Sequence, residues 1–320
     1  MRVNRTCLQY ACMLIFVAAM LSVPWEALRG EAFRDKQVYY EYFLYGKLIL
    51  EFREFESVID YFIHEFLWHF SVHFLVHELE IPLDYIFLAI SAFLLTVFSL
   101  YLVKQHGTLS LLLLINPLVI DLAFSQFRSA LAIACLGAAF LVRRSSLAYA
   151  FAGIALLFHT AASIFIVINA CVHFGQRYMA RHGKSGLGAI GFFVGLGVFV
   201  SLLIGPLREI ILALLGDRRV HYPDQSSTFL YISFWSGLLI ALILHAKKHA
   251  LSKAQSISAV ILSLVTTNLF TGGYSTRFLA TMFPFLVSSV LTIDRGIKPL
   301  ILTAFVAYTA LQWLFWLNVI

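Results

Sequence analysis

The chain has 320 residues, of which 61% are apolar and 12% charged, and its mean hydropathy is +0.86. A water-soluble protein carries roughly a quarter charged residues to cover its surface, so this composition excludes a soluble globular domain. The net charge of +6 and pI near 9.1 do not mark a nucleic-acid partner, because Lys and Arg sit in short clusters at the ends of apolar runs, where they act as topology signals. Cys7, Cys12, Cys135 and Cys171 all lie inside apolar segments without C-x-x-C spacing, which indicates packing residues rather than a disulfide framework or a zinc site.

Met1 to Arg5 followed by an apolar stretch to Val23 has the charge order of a signal sequence. The run continues into Pro24-Trp25-Glu26 without a small-x-small cleavage site, so it is expected to remain as a first span. The full set of predicted spans is about 7–24, 81–103, 108–123, 127–142, 146–158, 160–174, 187–205, 228–245, 256–271, 278–293 and 299–318. The expected fold is thus all-α and polytopic, with about 11 spans in a single integral membrane domain over 1–320. Placing Arg2 and Arg5 inside puts the amino terminus in the cytoplasm. Strict alternation then puts Lys104, Arg143-Arg144, the loop Gln176 to Lys184, Lys247-Lys248 with Lys253, and Arg295 with Lys298 on the same side.

The pair 146–158 and 160–174 is split at His159-Thr160. Thirteen residues rise about 20 Å, short of a hydrocarbon core of about 30 Å, so the tip carrying His159 is expected below the outer surface, in a thinned membrane or a cavity. Residues 26–80 interleave Asp, Glu, Arg, Tyr and His with aromatics and are expected to be exterior and interfacial. Within them, 59–78 reads as an amphipathic surface helix carrying His69, His73 and His77 on one stripe. An i, i+4 histidine stripe can hold a metal, but a polar face on a surface helix explains it without one, and no metal is claimed.

Cations on the outer side run against the positive-inside rule. Arg128 follows Asp121-Leu-Ala-Phe-Ser-Gln-Phe between the third and fourth spans, His159 tips the next pair, and Arg277 ends Thr271-Gly-Gly-Tyr-Ser-Thr-Arg277. All three are expected at outward tips. The exterior loop 206–227 adds Arg208, Glu209, Asp217, Arg218, Arg219, His221 and Asp224, and the first exterior segment adds Arg34, Asp35, Glu54 and Glu56. Arg suits a phosphate ligand because its planar fork donates paired hydrogen bonds, so a lipid pyrophosphate fits this set. The alternative is that Arg128 pairs with Asp121 and Arg277 snorkels to headgroups.

Three stretches resemble the EpsG-type branch of the Wzy-like bacterial polysaccharide polymerases. Phe124-Ser-Gln-Phe-Arg128-Ser-Ala-Leu-Ala132 is similar to that family's I-R-Q-G-L-A helix start, with Ser129 and Ala130 in place of Gln and Gly. Phe158-His159-Thr-Ala-Ala-Ser163, after the basic turn Arg143-Arg144, is similar to its F-H-x-S-A element. Tyr274-Ser-Thr-Arg277 is similar to its late Arg. A looser likeness joins Arg34-Asp35 with Tyr39 and Tyr40 to an R-D-x-x-x-Y element, and Glu56 to an E-P element whose proline is absent here.

The resemblance implies a glycosyltransferase-type polymerase of O-antigen or exopolysaccharide, joining oligosaccharide repeat units carried on polyprenyl diphosphate. It places the protein in the bacterial cytoplasmic membrane with an active site facing outward. It assigns the diphosphate to Arg128 and Arg277, with Arg34, Arg218, Arg219 and Tyr274, and the general base to Glu56, Asp35 or His159, in that order. The implied partners are the lipid-linked oligosaccharide, membrane lipid and a chain-length regulator, with no cofactor and no nucleic acid. No glycine-rich phosphate loop or Asp-x-Asp pair suggests a nucleotide-sugar site. Two other functions fit the same polar set: a transporter or flippase of lipid-linked glycan, and a membrane O-acyltransferase with His159 as base.

Overall fold

The computed structural model describes residues 5–45, 65–142, 144–183, 186–207, 210, 229–272 and 275–318. Among the described residues the regular structure is entirely helical. The chain forms two compact units. The first comprises 1–166 with the C-terminal residues 312–320, and the second 167–311.

The first unit holds α1 (Arg5–Ser22), α2 (Trp25–Arg29), α3 (Arg34–Tyr45), α4 (Phe66–His73) running on into a π-helical turn (Phe74–Glu78), and α5 (Leu83–His106). A 3-10 stretch, Thr108–Leu114, then leads to α6 (Pro117–Phe124), α7 (Phe127–Leu141) and α8 (Ser145–Phe158). Pro82 precedes α5, where a missing N–H is harmless, and Gly107 ends it at φ 81°, which only glycine adopts without strain. The Asn116 side chain accepts from Leu118 N at 2.9 Å and Pro117 follows at the first helical position, so α6 starts abruptly. It ends after two turns, and α7 leaves at 104° to it. The Asp121 carbonyl accepts from both Ser125 N (3.1 Å) and Gln126 N (3.2 Å), which satisfies the backbone at the bend. The Ser91 hydroxyl on α5 reaches the Ala123 carbonyl at 2.6 Å, holding α6 to the long helix.

The last residues of the chain fix α6 further. Asn116 Nδ2 donates to Gln312 Oε1 (3.0 Å), Trp313 Nε1 to the Ile115 carbonyl (3.2 Å), and Trp316 Nε1 to Asp121 Oδ1 (3.1 Å). Trp25 stacks on Trp313 at 5.8 Å, and the Arg29 guanidinium lies 5.6 Å from the rings of both Phe33 and Trp316.

α9 (Ala162–Arg181) begins in the first unit and runs into the second, which continues with α10 (Leu187–Ile204), α11 (Phe229–Ala246), α12 (Lys253–Thr271), α13 (Ser275–Thr281) and α14 (Phe283–Thr292). α15 (Lys298–Trp316) closes the chain, its last turn belonging to the first unit. The buried α12 is the centre of the second unit. Ser252 and Gln255 form a reciprocal capping box at its start. Small hydroxyl residues then tie it to its neighbours: Ser258 to Ser289 (2.7 Å), Ser263 to the Val194 carbonyl (2.8 Å) and Thr266 to Ser236 (2.9 Å). In an apolar surrounding each such bond contributes about 0.6 kcal/mol. α10 approaches closely because Gly197 lacks a side chain; a Cβ there would fall 2.2 Å from the Val260 carbonyl oxygen.

The expectation of about 11 spans is not met. Five described helices are long and apolar enough to cross a membrane, α5, α10, α11, α12 and α15, and a sixth span is added if the bent pair α6–α7 is counted as one. The difference has local causes. Segment 108–123 is a 3-10 run followed by the short α6, so it and 127–142 form one bent pair instead of two spans. Segment 146–158 is the 14-residue α8, and 278–293 is interrupted at Met282 with Pro284 in the first turn of α14. α9 reaches 20 residues, yet from Asn169 onward it also carries His173, Gln176, Arg177 and Arg181. With fewer spans, strict alternation no longer assigns a side to the basic clusters. The break expected at His159-Thr160 is present, between the end of α8 and the start of α9.

Candidate functional site

The polar centre of the first unit is Glu65, a carboxylate placed where three chain breaks meet. Glu65 stands just before α4 with φ 55° and ψ 44°, a left-handed conformation costing a side-chain-bearing residue about 1–2 kcal/mol. Its carbonyl accepts from Trp68 N at 3.0 Å, starting the helix, and Trp68 is fully buried against Tyr39 and Phe43. The large aromatic anchor therefore fixes the position of the carboxylate one turn before it.

Both carboxylate oxygens are engaged, and they divide the surroundings. Oε2 faces Arg128 Nη1 at 2.5 Å. Oε1 accepts from His159 Nδ1 at 2.5 Å, from the Thr160 backbone N–H at 3.1 Å and from the Thr160 hydroxyl at 3.1 Å. The Ser163 hydroxyl bonds the Thr160 carbonyl at 2.6 Å and completes the turn between α8 and α9. The Glu65 side chain is 5% exposed, against 22% for Arg128 and 14% for His159. A buried carboxylate is stable only when charge and hydrogen bonds compensate its lost hydration, and here a guanidinium, an imidazole, an amide and a hydroxyl do so.

The arrangement has a defined polarity. Ionised carboxylate oxygens only accept hydrogen bonds, so the proton of neutral His159 sits on Nδ1 and Nε2 holds the lone pair. Arg128 is the second residue of α7, within the first turn of a helix whose first N–H groups add partial positive charge. The site thus sets a proton acceptor and a cation on opposite oxygens of one buried anion.

A cavity of about 490 Å³ lies in the same unit, between the end of α1, α2, α3 and α5. Its walls are mainly apolar, including Leu21, Trp25, Leu88, Phe124 and Phe127. Phe127 immediately precedes Arg128. The ion pair between Lys36 and Glu26, at 2.8 Å, borders the cavity.

Of the residues expected at a site, the structure brings Arg128 and His159 together. Arg128 pairs with Glu65; Asp121 instead bonds Trp316 and lies 3.7 Å from Arg29. Arg34, exposed, and Asp35 open α3. Arg277 is exposed on α13 in the second unit. Glu56, Arg218, Arg219 and Tyr274 lie outside the described residues, as do Glu54 and most of the loop 206–227. On the histidine stripe, His69 is buried against Tyr42 at 4.7 Å, His73 and His77 lie 4.4 Å apart, and His77 Nε2 reaches the Phe43 carbonyl at 3.0 Å. Sequence reasoning missed Glu65. Its available signal was isolation, as the only carboxylate between Asp60 and Glu78 in a run of aromatics and histidines.

The helices define the class: an α-helical, multi-pass membrane protein. No family model, curated protein or solved structure matches the chain.

Proposed function

We propose that this protein polymerises lipid-linked oligosaccharide repeat units at the outer face of the bacterial cytoplasmic membrane. The observation that carries the reading is the convergence of Arg128 and His159, both within motifs resembling the EpsG-type polymerases, on the single buried carboxylate of Glu65. Arg128 would bind the diphosphate of the donor and stabilise the charge that develops on it as it leaves. His159 would take the proton of the acceptor hydroxyl. In the reaction, that hydroxyl oxygen bonds to the anomeric carbon of the growing chain, the bond from that carbon to the phosphate oxygen breaks, and polyprenyl diphosphate departs with the electron pair. Positioned proton transfer of this kind contributes about two to four powers of ten in rate. The apolar cavity beside Phe127 suits part of the lipid's hydrocarbon chain.

The test is the length distribution of lipid-linked and surface glycan in cells lacking the gene and in cells where it is restored, with wild-type protein or with Arg128→Ala. Deletion is expected to collapse a ladder of repeats to single units, the wild-type gene to restore it, and Arg128→Ala, scored where the protein is present in the membrane, to leave single units. An unchanged ladder, with single units lost from the outer leaflet or lacking an acyl group, would move the site to a flippase or an acyltransferase.

A further inference from the structure

Glu65 faces a cation on one oxygen and a proton acceptor on the other, and this division sets up a competition. We propose that Glu65 couples the occupancy of Arg128 to the basicity of His159, so that an anion drawing Arg128 away from Glu65 switches His159 into a stronger proton acceptor. The inference rests on the polymerase reading for its purpose, a base armed only when a diphosphate donor is bound, but its physics concerns this site alone.

The burial pattern gives the direction of access. Arg128 is 22% exposed and Glu65 only 5%, so an anion arriving from outside the cluster meets the guanidinium rather than the carboxylate. Until then, the Arg128 charge 2.5 Å from Oε2 offsets the anion that His159 faces through Oε1. Opposite charge within a few Å stabilises the ionised partner, and here the imidazolium of His159 is the partner denied that stabilisation. Once Arg128 is shared with a diphosphate, the Glu65 charge acts on His159 more fully. Thr160 holds Oε1 through both its amide and its hydroxyl, at 3.1 Å each, so the oxygen facing His159 stays in place while the other loses its cation. Among the described residues, the ionisable groups around His159 include Glu65, from before α4, and Arg128, from α7, across that carboxylate. His69, one turn along α4, packs on Tyr42 and Phe43 instead. Coupling of this kind is reciprocal: protonation of His159 must tighten anion binding by the factor by which the anion raises its basicity.

The experiment is an NMR titration of His159 in the full-length protein in nanodiscs with labelled histidine, the resonance assigned by its loss in His159→Gln. The probe is inorganic pyrophosphate. In wild type, saturating pyrophosphate is expected to raise the titration midpoint of His159 by about one pH unit, a tenfold gain in basicity. Arg128→Gln is expected to show a raised midpoint without pyrophosphate and no further response to it. Glu65→Gln is expected to lose most of the response, which separates coupling through the carboxylate from direct attraction between His159 and the anion. A wild-type midpoint indifferent to pyrophosphate, or a full shift persisting in Glu65→Gln, overturns the proposal. The wild-type measurement needs only His159→Gln, used for the assignment, to fold. A failed titration beside an intact glycan ladder refutes the coupling alone, whereas a lost polymerase assignment beside a normal shift leaves the coupling standing.

Discussion

Glu65 Oε1 lies 2.5 Å from His159 Nδ1 although 94 residues of chain separate them, and the other oxygen of the same carboxylate holds Arg128. Replacing Glu65 by Gln keeps the shape and removes the charge both partners face. Breaking a buried ion pair on one side costs about 3–5 kcal/mol, and the partial exposure of Arg128 places this case near 3. Glu65→Gln is therefore expected to lower the thermal midpoint in detergent and to abolish polymer formation, while Glu65→Asp, which retains the charge, recovers part of the stability. Equal melting of wild type and Glu65→Gln would show that the carboxylate carries no net stabilising charge.

Thr160 offers a milder probe because its amide remains when its hydroxyl is removed. Thr160→Val is expected to cost about 1 kcal/mol and Thr160→Ser much less, since serine retains the donor to Oε1. Unfolding in detergent measures the difference, and a Thr160→Val variant as stable as wild type would show that the hydroxyl contributes no net stability.

The cavity beside Phe127 gives a prediction about the lipid. Leu88→Trp enlarges a wall residue and narrows the space. It is expected to raise KM severalfold for a donor on a long prenyl chain, with little change for a short-chain analogue. Parallel changes for both donors would remove the hydrocarbon chain from this cavity.

Outside the spanning segments, Tyr40 donates a hydrogen bond to Asp84, and burial, reinforced by the adjacent carboxylate, raises its phenol above its ordinary value near 10. The folded protein then holds this proton more tightly than the unfolded chain. The stability from the contact is complete below pH 10 and declines as the pH rises above it toward the folded value. Tyr40→Phe is expected to flatten that alkaline decline in a series of melts between neutral pH and pH 11. An unchanged slope would assign the decline to other groups.

Part of this architecture was legible in the sequence, because some signals are local. Phe158-His159-Thr160 marked a break that the structure contains, and the polar tip residues Arg128 and His159 proved to be neighbours. The number of spans was not legible. Hydropathy records that 108–123 is apolar, but not that Asn116 caps a new helix, nor that α6 turns through 104° into α7. A buried, kinked segment and a spanning helix need the same apolar composition. Glu65 was hidden for a related reason: its importance depends on long-range partners and a left-handed backbone. Nothing in the local pattern ranked it above Glu56.

The most direct measurement uses purified protein in liposomes supplied with a polyprenyl-diphosphate-linked repeat unit, with product length resolved by gel or mass spectrometry. Wild type is expected to build a ladder of repeats and release polyprenyl diphosphate, one molecule per bond formed. Arg128→Ala and His159→Gln, each first shown to be folded in detergent, are expected to leave single units. Ladders of wild-type length from both variants would contradict the assignment of the Arg128–Glu65–His159 cluster to glycosyl transfer.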